Sequence, residues 1–262
     1  MLIPRMHLFE LEDQPWFPTT IRDLATDYLN YIEKAVALHR PVVKILVEVL
    51  RETKQHRVVD LSSGGGGPIV EIQKEIEKAG LTVEFTLTDL FPNLPAFARI
   101  ASASSGSIAF CAKPVDARSV PRELKGFRTL FNAFHHFRPV DAIAVLRDAA
   151  KNGQPIGIFE APERRFFTIV GTLLLVPLMV VLATPFIRPF RWHRLFWTYL
   201  IPLVPLTCWW DGVVSMLRAY TPVEMLSLAG QVGVSDYAWR AGQVPVGLGP
   251  GGLTYLLGHP TS

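Results

Sequence analysis

Covalent cross-links have little place in this sequence. It has two cysteines in 262 residues, Cys111 and Cys208, with no CxxC spacing and no cluster of histidine with cysteine. That argues against a disulfide framework and against a zinc site, so no metal is expected, and a reducing compartment fits. Surplus charge is also scarce. A net charge of +3 gives no case for a nucleic-acid partner. Internal repeats and low-complexity runs are absent. The stretch Met1 to Glu12 has no apolar core of signal-peptide length and carries acids early, so no secretory signal is expected and the cytoplasm is the expected compartment.

Apolar residues are plentiful. They make up 49% of the chain, the upper part of the ordinary globular range, and the mean hydropathy of +0.26 requires the excess to sit somewhere specific. The length suits one large α/β domain, or one domain plus an insertion.

Along the chain, an aromatic and proline-rich arm (His7 to Pro18) precedes helical spacing over Ile21 to Leu38 and Val42 to Glu52. The rhythm then changes. Arg57 to Leu61 is a short apolar run ending at an acid, followed by Ser62-Ser63-Gly64-Gly65-Gly66-Gly67 and a helix over Pro68 to Ala79. Strands are expected at Thr82 to Leu87, Ser107 to Cys111, Arg128 to Phe131 and Pro155 to Glu160, with a helix over Val140 to Lys151. Strand alternating with helix at this spacing predicts an α/β fold with a doubly wound, mostly parallel sheet. Further on, Thr221 is placed to cap a helix with Pro222 at its first position and Glu224 at its third. Asp236 to Arg240 and Leu253 to Leu257 read as closing strands around a glycine-rich turn, Gly247 to Gly252.

The strand ends carry a pattern. A glycine turn after the first strand lets backbone approach a ligand that a Cβ would repel. The helix that follows offers unpaired N–H groups and positive potential to an anion. An acid after the second strand, Asp89 beside Leu90, suits two ribose hydroxyls. An Asp next to a small residue after the third, Asp116-Ala117, suits an exocyclic amine. The turn after the fourth, Asn132 to Phe137, lies where open α/β sheets bind ligands.

These residues resemble the class I S-adenosylmethionine (SAM)-dependent methyltransferase family, whose first motif runs acid-x-Gly-x-Gly-x-Gly. Here it is Asp60-Leu61-Ser62-Ser63-Gly64-Gly65-Gly66, with Ser62 at the first glycine position and Gly64 and Gly66 in register. The resemblance covers roughly Arg57 to Glu160 and Asp211 to Gly258, and implies a seven-stranded sheet with SAM as cofactor. It gives Asp60 the methionine amino group, Asp89 the ribose, Asp116 and Ala117 the adenine, and Asn132 and Phe134 the methionine side. His135 is the candidate base, because imidazole titrates near neutrality. Trp16, His136 and Tyr220 are candidate substrate contacts. Each has an ordinary alternative: Asp89 could cap the next helix, Asp116 could be a solvated loop acid, and Trp16 and Tyr220 could be packing residues. Glu160 could face the crevice or pair with Arg164 or Arg165. A nicotinamide-binding fold competes, but its third fingerprint glycine would fall on Ile69.

After Glu160 the alternation breaks. Phe166 to Phe186 is about 21 residues without charge, about 31 Å as a helix, flanked by Arg164, Arg165, Arg188, Arg191 and Arg194. Leu195 to Trp210 is a second uncharged run, broken by Pro202 and Pro205. Three placements compete: a span, a segment lying in one leaflet with Trp192, Trp197, Trp209 and Trp210 as an interfacial belt, or an apolar lid or dimer surface. The second is favoured. A span would have to return the closing strands to their own side, taking arginines through the bilayer.

The expected division is an arm with helices at 1–56, a SAM-binding core at 57–160, an apolar helical insertion at 161–210, and a closing helix and strands at 211–262. The expected function is SAM-dependent methylation of a hydrophobic small molecule or lipid at the cytoplasmic face of a membrane, with peripheral contact through 166–210 and oligomers allowed. Alternatives are a non-catalytic SAM-binding protein and an NAD(P)-dependent oxidoreductase.

Overall fold

The computed structural model describes residues 2–104, 106–246 and 251–261. Most of the expected turn at Gly247 to Gly252, residues 247–250, lies outside the described residues. In chain order the helices are α1 (Thr19–Ala35), α2 (His39–Glu52), α3 (Ile69–Lys78), α4 (Leu94–Ala103), α5 (Pro139–Lys151), α6 (Phe166–Ala183), α7 (Trp192–Leu195), α8 (Leu203–Arg218) and α9 (Pro222–Ala229). The strands are β1 (Arg57–Asp60), β2 (Glu84–Leu87), β3 (Ile108–Phe110), β4 (Phe127–Phe131), β5 (Ile156–Glu160), β6 (Tyr237–Pro245) and β7 (Gly252–Pro260). Two compact units result, one from residues 38–161 and 221–262, the other from 1–37 and 162–220. Residues 38–56 thus join the sheet, and 211–220 join the helices, where the sequence reading grouped them the other way.

The first unit holds the seven-stranded sheet, in the order β3-β2-β1-β4-β5-β7-β6. β1 to β5 run parallel, and β7 enters antiparallel between β5 and β6. Parallel neighbours need long crossovers, and α3, α4 and α5 lie in three of them. The central strands β1, β4 and β5 are short and nearly continuous in burial; all five residues of β5 are buried, as a sheet covered on both faces demands. One core packs Leu46, Val49 and Leu50 of α2 and Ile72 and Ile76 of α3 with Phe85 and Leu87 of β2. α5 buries Ala142, Val145, Leu146 and Ala149. α9 starts as expected: the Thr221 side chain accepts from the Glu224 amide while Glu224 reaches back to the Thr221 amide.

The helical unit is built from distant pieces of chain. Ile21, Leu24 and Tyr28 of α1 pack with Val180 and Ala183 of α6 and with Val204 and Cys208 of α8. The N-terminal arm is fixed by the polar end of α8. Asp211 accepts the amides of Leu11 (2.7 Å) and Glu12 (3.0 Å). Arg218, buried, donates to the Leu8 carbonyl (2.7 Å) and pairs with Asp13 (2.9 Å) and Glu10 (3.1 Å). These contacts explain why α8 runs unbroken across the boundary expected at 210/211. Burial also raises the Asp211 carboxyl to about 6.

In the sheet unit, Arg128 on β4 is almost wholly buried and its Nη1 donates to Asp148 Oδ2 on α5 at 2.6 Å. Taking away one partner leaves a guanidinium in a medium that cannot solvate it. Asp148→Ala is expected to destabilise the protein by about 3–5 kcal/mol, whereas replacing both residues with apolar ones of similar volume recovers most of the loss. Thermal unfolding of the two variants measures the difference, and equal melting temperatures would refute it.

Candidate cofactor site

The parallel strands bring their carboxyl ends to one edge of the sheet. Between β1 and β4 the strand order reverses, the place where open α/β sheets leave a crevice. Asp60 closes β1, Asp89 follows β2, Asp116 follows β3, Asn132 to His136 follow β4, and Glu160 closes β5. The expected cofactor residues therefore share one edge of one unit.

At the β1 end, Asp60 is buried, and both its carboxylate oxygens are engaged. Thr129 on β4 donates its hydroxyl to Oδ1 (2.8 Å) and Ser63 donates to Oδ2 (2.7 Å). Burial raises the Asp60 carboxyl to about 7, against the pull of those two hydroxyls. The motif acid thus pins the glycine turn to β4. Ser62 has a left-handed backbone with φ +60°, the conformation for which glycine carries no Cβ penalty. The serine occupies it at a cost of about 1–2 kcal/mol, which accounts physically for a glycine at this position in the resembled motif.

The turn itself is open on one side. Gly64 (φ +51°) has no atom within 4 Å of where a Cβ would project, so space remains over it. At Gly66 (φ +93°) a Cβ would fall 2.0 Å from the Ile100 side chain. Its positive φ is what favours glycine there, and a Cβ would in addition make the tip of the Ile100 side chain shift. The Gly64 amide donates to Asp89 Oδ2 (2.8 Å) and the Phe91 amide to Oδ1 (2.8 Å). Asp89 is half-buried and Leu90 exposed. The acid bridges the two loops that flank the open space and does not cap α4, whose cap is Asn93. Glycine turn, nearby carboxylate and vacant room above Gly64 fit an adenosyl cofactor.

Asp116 behaves otherwise. Both its oxygens accept from the Arg118 guanidinium, Oδ2 from Nη2 at 2.7 Å, and Arg118 also reaches Asp141 at 2.8 Å. These bonds hold its carboxyl below the ordinary range. The carboxylate assigned by resemblance to adenine is engaged in a loop clamp, and the neighbouring Ala117 is buried. Arg118 was the feature missed: an arginine two residues after an aspartate signals this local ring.

After β4, Asn132 is also left-handed (φ +49°), and its Oδ1 accepts the Ala161 amide at 2.8 Å. The chain can then turn into a short 3-10 segment, Phe134–His136. Phe134 and His135 are buried there and His136 half-buried. Glu160 resolves the two expectations held for it. It turns to this segment, accepting the Phe134 amide at Oε1 (2.7 Å) and meeting His135 Nδ1 at Oε2 (2.5 Å). Burial pushes Glu160 up, but the charge and bond of His135, the Phe134 amide and His136 together bring its carboxyl below the ordinary range. This pairing of histidine with the strand-end acid is what sequence reasoning left undecided. Trp16 and Tyr220 belong to the helical unit. Trp16 is exposed and sets an edge against Phe17, while Tyr220 is buried under the Arg5 guanidinium, 3.9 Å from its ring. A cavity of about 740 Å³ elsewhere in the sheet unit is lined by residues of α2 and α3 with charges of both signs, none of them on the carboxyl edge.

The raised Asp60 carboxyl has a measurable consequence. The folded protein holds this proton up to about pH 7, whereas the unfolded chain releases it near 3.8. Asp60 therefore contributes stability that is present below 3.8 and lost as pH rises through about 7. Asp60→Asn removes that dependence. Its melting temperature, relative to the unmodified protein, is expected to improve between pH 4 and 7 and to level off above; a constant difference would contradict the assignment.

No family model matches the chain, and no curated protein matches its sequence. Solved structures do. An O-methyltransferase family protein from Burkholderia thailandensis aligns with 89% of this chain and 58% of its own, at 16% identity and a TM-score of 0.50. A structure of PigF with SAH aligns with 94% of this chain and 62% of its own, at 15% identity and a TM-score of 0.53. The chain spans about six tenths of the length of these solved structures. Identities this low speak for architecture alone: the chain shares the fold of these methyltransferases, and it carries a glycine turn, Asp89 and the His135–Glu160 pair on the carboxyl edge of the sheet.

Proposed function

We propose that the chain is a SAM-dependent methyltransferase whose acceptor is a hydrophobic small molecule or lipid. The observation that carries this reading is the open space over Gly64, bordered by the Asp89 carboxylate that its amide holds in place. One of the solved structures with this fold contains SAH. SAM, when bound, supplies an electrophilic methyl group whose leaving group is a neutral thioether. The chain need supply no acid, and alignment with exclusion of water carries most of the rate.

Asp89 would hold the ribose hydroxyls, and the glycine turn would admit the methionine part. Asn132 fixes the turn that carries Phe134 and His135. The His135–Glu160 pair favours an acceptor that loses a proton, a hydroxyl in the first instance. Glu160 engages Nδ1, which leaves Nε2 as the nitrogen that would take the proton. The apolar acceptor is argued from the same chain's helical unit, whose α6 exposes leucines and phenylalanines.

Parallel titrations with SAM and NADH test the cofactor. SAM is expected to raise the melting temperature, by the equivalent of about 2.7 kcal/mol at a hundredfold excess over Kd, and NADH to leave it unchanged. Asp89→Ala should abolish the shift, and a shift with NADH alone would replace this reading with an oxidoreductase. Formation of S-adenosylhomocysteine with a lipid extract tests the activity; binding without it would mean a SAM-binding protein that does no chemistry. His135→Ala is expected to lower turnover about 10²-fold or more with SAM binding intact. Near-normal turnover would remove its role as base.

A further inference from the structure

We infer that the helical unit docks on an anionic membrane surface, laying α6 and the segment that follows it into one leaflet without crossing. This inference stands apart from the methyl-transfer reading and concerns the other compact unit. Phe166–Phe186 has a mean hydropathy of 2.6, yet only 22% of its most apolar window is buried. Its two faces differ in partner and agree in chemistry. Val180 and Ala183 pack on α1 and α8. Phe167, Leu174, Leu178, Leu182 and Phe186, which recur at helical spacing, are each more than half exposed. A second apolar stretch follows: Trp192–Leu200 and Leu203–Arg218 bend by 73° at the break between them, and Trp192, Leu200 and Leu206 are exposed.

Charge points to the occupant. From Arg164 to Trp210 there is no aspartate, glutamate or lysine, and the five charged residues are all arginines. They bracket the apolar helix, with Arg165 exposed before it and Arg188 exposed after it. Four tryptophans lie in the same stretch, at 192, 197, 209 and 210. Exposed apolar side chains bounded by arginine and tryptophan match the boundary of acyl chains with anionic headgroups.

Packing decides between lying in the leaflet and crossing it. The buried face of α6 rests on α1, which carries Arg22, Asp23 and Asp27. Asp27 is bonded to Arg194 at 2.5 Å, and Asp23 is exposed. A crossing α6 would draw these charges into hydrocarbon, where ionised side chains are strongly disfavoured. Lying parallel to the surface, the helix buries its exposed stripe in lipid and keeps α1 in water.

Flotation of the full chain with vesicles of phosphatidylcholine, with or without phosphatidylglycerol, tests the inference. The protein is expected to float with the anionic vesicles. Leu174→Glu/Leu178→Glu/Leu182→Glu, three changes at exposed positions, should cut recovery at least tenfold with an unchanged circular dichroism spectrum. Arg165→Ala/Arg188→Ala should remove the preference for phosphatidylglycerol. Quenching of tryptophan fluorescence by brominated lipid in the unmodified protein needs no variant and should follow flotation. Protein that stays in the dense fraction with both vesicles overturns the inference. If the same protein is then a dimer by light scattering that the triple glutamate variant dissociates, the face belongs to a second copy. A missing response to SAM with flotation intact would instead sink the enzyme reading and leave the membrane surface standing.

Discussion

The buried carboxyl of Asp60 is the constraint on which the candidate site depends. It closes β1, takes a hydroxyl from β4 through Thr129, and takes another from the glycine turn through Ser63. Because the strand order reverses between β1 and β4, these contacts tie the two sides of the crevice to each other and to the loop beside it. Burying such a group costs free energy unless it is well bonded. The protein meets that requirement with two hydroxyls and a proton retained to near neutrality. The turn is held open by a polar clamp beneath it, and the room over Gly64 is left to whatever binds there.

The other residues of the carboxyl edge follow the same logic of fixing loops before offering them. Asp89 takes two backbone amides, Asn132 takes the Ala161 amide, and Glu160 takes the Phe134 amide together with the His135 ring. Each acid or amide spends its bonding on fixing a loop, the rigidity that alignment would need in the proposed reaction. Asp116 fixes its loop through a side chain, with both oxygens given to one guanidinium.

Much of the sheet was legible in the sequence because short apolar runs ending in Asp60, Phe131 and Glu160 recur with helices between them. The parallel order follows from that alternation. The capping box at Thr221 was legible for a local reason: its two participants, Thr221 and Glu224, sit within four residues. What escaped depends on contacts distant in sequence. That Glu160 pairs with His135 is decided by two neighbouring strands, β4 and β5, whose register puts Phe131 opposite Phe159. That α8 runs past residue 210 is decided by an arm some two hundred positions earlier, bonded to Asp211 and Arg218. The purely apolar character of α6 was plain, but hydropathy does not tell which face meets protein and which does not; the packing on α1 does.

The antiparallel entry of β7 between β5 and β6 bears on how such a chain is made. When β5 leaves the ribosome, one of its edges has no partner, and none exists until the whole apolar helical stretch and then Gly252–Pro260 have been synthesised. During that interval an unpaired strand edge and an uncovered α6 are presented together, the two features through which nascent chains stick to one another. Early capture of the helical stretch, by its own N-terminal arm or by another apolar phase, shortens that exposure. Pairing of β7 with β5 then closes that edge.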